Sequence, residues 1–327
     1  MGPSYGPSEG AASIRDALRA LRDAGLGAGA PGAPLETLPR GDEPPRLERA
    51  TPLEGSAIAT RAVPGAPTVG FRAFLDGIQR SQVIAHVGVV PLVHGAVAAA
   101  VRLRTDRALR TWEHPVVSQA LYAPRALLDP GLLATLAARL PVEETLAAEG
   151  DAAVGARHPQ ELAARALTAV QRAREAAELS LAVRWVTAGD GPLLVDGGTS
   201  GSAEASRSPM VVGVVKSHRT LYADEAALQL VLGLGEGERT TAVTLSSPRR
   251  HPVASWYLRL RDPAGRAPLH GLVRVEAAIA GDVTARADEV SRWILAERAP
   301  VALPDPRWDV MVYGIRECEQ YLTAILR

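Results

Sequence analysis

The chain has 327 residues, 47% of them hydrophobic and 22% charged, a composition that supplies a sizeable core and excludes an intrinsically disordered protein. Acidic and basic residues balance at 36 each, so no global field draws the whole molecule to nucleic acid, and any such contact has to be local. The single cysteine, Cys318, excludes an intramolecular disulfide and a cysteine-based zinc cluster and suits a reducing compartment, and the seven histidines fall at no zinc-binding spacing.

Residues 1–66 are rich in Gly, Pro and Ala and read as a partly flexible N-terminal arm, loosest around GAGAPGAPLETLPRGDEPP. One amphipathic helix is expected in it, over Ala12 to Leu26, where Ile14, Leu18 and Leu21 recur at helical spacing. No basic segment followed by an apolar run opens the sequence, and no stretch approaches the roughly 20 uncharged apolar residues of a membrane span. The expectation is a cytoplasmic protein without membrane contact.

Residues 67–327 read as one α/β domain. VGFRAFLDG (69–77) predicts a strand that stops at an Asp-Gly turn, SQVIAHVGVVPLV a second strand, and TWEHPVVSQALYA a third. Three successive strands suggest an antiparallel meander rather than a Rossmann opening, and no dinucleotide or P-loop glycine motif follows them. A helical insertion is expected over about 129–187, broken near Gly150 and His158–Pro159, with its second helix running from Pro159 to Trp185. GPLLVDGG (191–198) reads as a short buried strand closed by another Asp-Gly turn. Strand MVVGVVKS (210–217), helix DEAALQLVLGLG, and strands TTAVTLS, SWYLRLRD and GLVRVEAAI follow, before helices around 283–298 and 312–326.

Asp76 and Asp196 each sit where an apolar run stops, the edge at which α/β sheets usually bind ligands, although Asp-Gly is also a common turn dipeptide. Glu178 lies on the helix feeding the second of these strands; it either aims over the strand ends or pairs with Arg174 on a solvated face. Three converging carboxylates would offer hard oxygen ligands to Mg²⁺ or Mn²⁺, which activate water and neutralise phosphate in phosphodiester cleavage. Lys216, the only lysine, closes MVVGVVKS with His218 and Arg219 beyond it; it suits charge on a scissile phosphate, or equally a solvated strand end. Glu276 is a further acidic candidate. A chain 4% aromatic with zero net charge argues against a pure single-stranded DNA-binding module.

The ordered set FLDG, a helix carrying AELSLA, LLVDGG, VVGVVKS, and SWYLRL with GLVRVE resembles the NurA nucleases, as short islands over about residues 69–325. The resemblance implies an α/β ribonuclease H-like mixed sheet flanked by helices, a homodimer, and Mn²⁺- or Mg²⁺-dependent DNA cleavage, as 5′ to 3′ exonuclease and single-strand endonuclease. It also implies a HerA-type hexameric ATPase as partner, in DNA end resection and repair or in antiviral defence. Asp76, Glu178 and Asp196 take the metal-ligand positions and Lys216 that of the family's lysine, these four being the catalytic set; Arg80, Arg219 and Tyr313 are the expected nucleic-acid contacts. Two departures stand out. Ile78 follows the first Asp-Gly where the family has a small hydroxyl residue, with Gln79, Arg80 and Ser81 next. The C-terminal segment VMVYGIRECEQYL lacks the family's histidine, leaving Glu317 or Glu319 to replace that ligand and Tyr313 as the counterpart of the family's tyrosine. The alternative function is a catalytically inactive dimeric scaffold for a motor ATPase.

Overall fold

The computed structural model describes residues 9–25, 45–106, 108–146, 158–247, 250–298, 310 and 312–326. In chain order its elements are α1 (Glu9–Asp23), β1 (Arg46–Glu48), β2 (Thr51–Pro52), β3 (Thr60–Ala62), β4 (Ala73–Val87), β5 (Val90–Thr105), β6 (Ala108–Thr111) and β7 (Val116–Ala123). There follow α2 (Pro130–Ala137), β8 (Val142–Glu144), α3 (Pro159–Ala188), β9 (Leu193–Asp196), α4 (Ala203–Arg207), β10 (Val211–Val215), β11 (Thr220–Tyr222) and α5 (Glu225–Leu232). The last are β12 (Glu238–Thr240), β13 (Val243–Ser247), β14 (Arg250–Arg259), β15 (Leu272–Ala277), α6 (Val283–Glu297) and α7 (Tyr313–Ile325).

The long path through the main sheet runs β2-β13-β14-β15-β10-β9-β4-β5-β7-β8. β4, β5 and β7 form the expected antiparallel meander, while β4, β9 and β10 lie parallel to one another. β10 is antiparallel to β15 on its other side, so the sheet is mixed. Its faces follow from the two-residue alternation of strands. Phe74, Leu194, Val212 and Val214 share a core with Ile294 of α6 and Ile315 and Cys318 of α7. Leu75, Leu193, Val195 and Val211 pack instead on Ala177, Leu181 and Trp185 of α3. The sheet is thus covered by α6 and α7 on one face and by α3 on the other.

Three expectations differ from the structure. The first strand does not stop at Asp76-Gly77: β4 continues to Val87, and the hairpin turn at Gly88–Val89 falls inside SQVIAHVGVVPLV, expected as a single second strand but supplying the end of β4 and the start of β5. The segment 129–187 holds a short strand, β8, paired with β7, besides its helices. Residues 45–62, read as part of a loose arm, form three short strands paired with β11, β13 and β12. A buried ion cluster anchors that segment. Glu54 accepts from Arg239 Nη1 at 2.7 Å and Nη2 at 3.0 Å, and Asp288 of α6 accepts from Arg239 Nε at 2.6 Å. Arg239 is fully buried, and removing one partner from such a set typically costs about 3–5 kcal/mol because it strands a charge away from water. The expected arm helix forms, over Glu9–Asp23 rather than Ala12 to Leu26, and is docked: Ala17 and Leu21 pack with Ile84, Leu92 and Leu136 at the far end of the β4–β5 hairpin. The Gly/Pro-rich stretch 26–44 and the Gly150 break lie outside the described residues. Among the described residues no helix is long and apolar enough to cross a membrane.

Candidate metal centre

Asp76 lies mid-strand on β4, on the face of Phe74 and therefore towards α7. It is 4% exposed. Its Oδ1 accepts from the Gly77 amide at 2.7 Å, and its Oδ2 has no hydrogen-bond partner among the described residues. Asp196 ends β9 on the same face, and Gly197, at φ +135°, makes the turn that only glycine adopts freely. Glu319 reaches in from α7. One carboxylate oxygen from each of Asp76, Asp196 and Glu319 lies within 4.8 Å of the others.

Lys216, one residue past β10, ion-pairs with Asp196 through Oδ1 at 2.9 Å and Oδ2 at 3.0 Å. Burial, and then the neighbouring Asp196, push the Asp76 carboxyl well above the ordinary carboxylate range, while Lys216 pulls it the other way. A carboxylate in this position is buried, has no hydrogen bond to its second oxygen among the described residues, and faces two more acids. Hard, oxygen-only donors around an unsatisfied buried oxygen suit a divalent cation such as Mg²⁺ or Mn²⁺. Burial likewise raises the thiol of Cys318, with Asp76 adding to the effect. It remains a thiol donating to the Phe74 carbonyl at 3.4 Å rather than a thiolate ligand.

Glu178 approaches from the other face. It stands on α3 above Gly77, where a Cβ would lie 2.4 Å from its Oε1 and 2.8 Å from its Cγ. The glycine therefore serves close approach inside a strand rather than a turn, and it brings Glu178 beside Asp76 across the β4 backbone. The predicted pair with Arg174 forms, yet Glu178 is buried rather than on a solvated face. Arg174 also donates to Gln79 Oε1 at 3.3 Å. Burial pushes the Glu178 carboxyl up to about 7 against the opposing pull of Arg174, with Asp196 raising it further. Gly77→Ala should overpack this contact and lower stability by about 1–3 kcal/mol. Thermal melts of Gly77→Ala alone and with Glu178→Ala check it: the second substitution should recover most of the loss, and additive losses would contradict the close approach.

Of the proposed metal ligands, then, Asp76 and Asp196 meet directly and Glu178 flanks them through the Gly77 gap. Between the two C-terminal candidates the geometry decides. Glu319 joins the cluster, whereas Glu317 accepts from Arg102 Nε at 2.9 Å and Nη2 at 2.8 Å. Helical phase carried this signal: Glu319 is four residues after buried Ile315 and three before buried Leu322, on the inward stripe of α7. Glu276 lies elsewhere. Its Oε2 accepts from the Thr199 and Ser200 amides at 2.7 and 3.2 Å, its Oε1 from Arg274 at 2.6 Å, and it fastens the loop after β9. Arg80 is exposed and donates to the Leu326 carbonyl at 2.8 Å. Arg219 is exposed beside β11, and Tyr313, 49% exposed, opens α7. Ile78 packs with Leu322 of α7.

Next to the carboxylates a cleft of about 460 Å³ opens between α3 and the loop 197–202. Of the carboxylates of the candidate centre, only Glu178 and Asp196 line it, with Arg172, Arg174 and Arg250; Asp76, Glu319 and Lys216 do not, nor do Arg80, Arg219 and Tyr313. Arg172 and Arg250 had no distinguishing signal in a chain whose positive charge is almost entirely arginine. Compared with known proteins, the chain matches no family model and no curated protein.

Proposed function

We propose that the chain is a metal-dependent DNA nuclease of the NurA type, built on a ribonuclease H-like core. The observation that carries this reading is the buried Asp76 Oδ2, without a hydrogen-bond partner among the described residues, beside the carboxylates of Asp196 and Glu319, a combination with a strong electrostatic demand for a cation. The strand order β7-β5-β4-β9-β10, an antiparallel meander continued by two parallel strands, supports the core assignment, with the two aspartates on adjacent strands β4 and β9. The resemblance of the sequence islands to the NurA nucleases extends the proposal to 5′ to 3′ exonuclease and single-strand endonuclease action, a homodimer, and a HerA-type translocase in DNA end processing or defence.

A bound Mg²⁺ or Mn²⁺ would supply Lewis-acid neutralisation of the phosphodiester and an activated water. Asp76, Asp196 and Glu319 would hold it through hard oxygens. Lys216, which neutralises Asp196 in the structure, is placed to meet negative charge gathering on the phosphate oxygens. Glu178, with its carboxyl near 7, is suited to accept the proton of the attacking water at neutral pH.

End-labelled single- and double-stranded DNA, incubated with Mn²⁺, Mg²⁺ or EDTA, tests the proposal. Cleavage should require metal. It should fall at least about tenfold in Glu319→Gln, whose ligand oxygen is lost, and stay within about twofold in Glu317→Gln, where the cost falls on the Arg102 pair and on Tm. A second reading, the inactive scaffold, is favoured by the internal pairs Lys216–Asp196 and Arg174–Glu178, which neutralise part of the site without metal. Absence of both Mn²⁺ uptake by calorimetry and cleavage, even with a cognate motor present, would establish that reading instead.

A further inference from the structure

The cleft beside the carboxylates has features that the metal centre does not explain. Its floor is the loop Gly197-Gly198-Thr199-Ser200-Gly201-Ser202, and that loop is held rigid. Glu276 fastens the amides of Thr199 and Ser200, and the Ser200 carbonyl accepts from the His251 amide at 2.8 Å. The latter bond ties the floor to the start of β14, which brings Arg250 onto the rim. Gly198 is required there, since a Cβ would come within 2.8 Å of Glu276 Oε2. Across the gap α3 contributes Arg172 and Arg174. Arg174 is occupied by Glu178 and Gln79. Arg172 and Arg250 are exposed and have no ion-pair or hydrogen-bond partner for their guanidinium groups among the described residues. Two uncommitted guanidinium groups thus stand on opposite walls of a groove that ends at Glu178 and Asp196, in a protein of zero net charge.

We infer that this cleft is the strand-entry subsite of the proposed nuclease, a groove for the sugar-phosphate backbone of single-stranded DNA in which Arg172 and Arg250 each hold a phosphate. The inference rests on the nuclease reading for what lies at the inner end, but not for the binding itself. Arginine forks match phosphate oxygens geometrically. Contacts of this kind position a strand without reading its sequence, so binding is independent of base composition. Partial neutralisation of Glu178 by Arg174 and of Asp196 by Lys216 lowers the repulsion a phosphate meets at the inner end.

The test separates binding from chemistry. Fluorescence anisotropy of a labelled single-stranded oligodeoxynucleotide is measured in EDTA across a salt series for the full chain, Arg172→Ala, Arg250→Ala, the double variant, and Arg139→Ala as an exposed arginine outside the cleft. Each cleft substitution is expected to weaken binding about tenfold and to reduce the slope of log K against log salt by about 0.7; Arg139→Ala should leave both unchanged. Arg172→Lys should keep the salt slope but recover only part of the affinity. Cleavage with Mn²⁺ is read in parallel. Binding lost in the double variant while the unaltered chain cleaves nothing would uphold the subsite and remove the nuclease. Metal-dependent cleavage with binding untouched in the double variant, or with equal loss in Arg139→Ala, would overturn the subsite and keep the nuclease. No binding by the unaltered chain overturns the subsite as well.

Discussion

Asp76→Asn is expected to reduce metal-dependent cleavage at least about a thousandfold while making the metal-free protein more stable at pH 8. The two effects share one cause. The Asp76 carboxyl is buried, its Oδ2 has no hydrogen-bond partner among the described residues, and Asp196 and Glu319 crowd it, so its ionised form is held at a cost that a bound cation would relieve. Asparagine keeps an oxygen for the Gly77 amide, now 2.7 Å from Oδ1, and turns an NH₂ towards the neighbouring acids. The like-charge repulsion disappears, and with it a hard anionic ligand whose contribution to transition-state charge is several kcal/mol.

For a carboxyl raised in the folded state, the native form binds more protons than the unfolded one above the unfolded pKa, so stability falls as pH rises through that window. The Asp76→Asn gain should therefore be present at pH 8 and shrink as the solution is acidified towards the ordinary aspartate range. Paired cleavage assays and thermal melts at pH 4 and 8 check both arms. A variant that is inactive but less stable than the parent at pH 8 would mean that Asp76 is a structural residue whose charge is already satisfied.

The second large effect concerns Glu178. Its carboxyl moves from an ordinary 4.5 to about 7 on folding, chiefly through burial. Between those values the folded protein retains a proton that the unfolded chain releases, so this residue's contribution to stability declines from pH 4.5 to 7 and is level above it. At 1.36 kcal/mol per pH unit the decline is about 3 kcal/mol. Glu178→Gln, which leaves Arg174 an amide oxygen, should abolish that component. The stability of the parent minus that of the variant, from urea titrations in EDTA at pH 4.5, 6, 7 and 8, should drop by that amount across the window. A difference that is flat with pH would show that the Arg174 pair compensates for burial completely.

The strands that frame the centre were legible because their composition is local evidence. LLV and VVGVV are apolar runs, the second rich in β-branched valine, and each is bounded by turn residues; α3 was read from His158–Pro159 nearly to its observed end. Asp76-Gly77 misled for a physical reason. A glycine within a strand usually marks a turn or a bulge, but here it makes room for a side chain 101 positions away in sequence, and no local pattern reports such a contact. The short strands β1, β2 and β3 were missed because two or three residues carry no periodicity and their partners are remote. Asp76 and Asp196 were singled out where an apolar run meets Asp-Gly, and Lys216 as the one lysine closing a strand; that Asp76, Asp196 and Glu319 lie together in space was written in none of these local patterns. Glu319 was left level with Glu317 until the phase of α7 separated them.

Lys216 has a consequence in reagent chemistry. Because every other basic side chain of the arginine and lysine class is a guanidinium, the side-chain primary amine chemistry of this protein is confined to one nitrogen, and that nitrogen touches Asp196. Acylation, reductive methylation or isotope-labelled formaldehyde, which in most proteins decorate amines over the whole surface, would here place their lysine label beside Asp196 of the candidate metal centre alone.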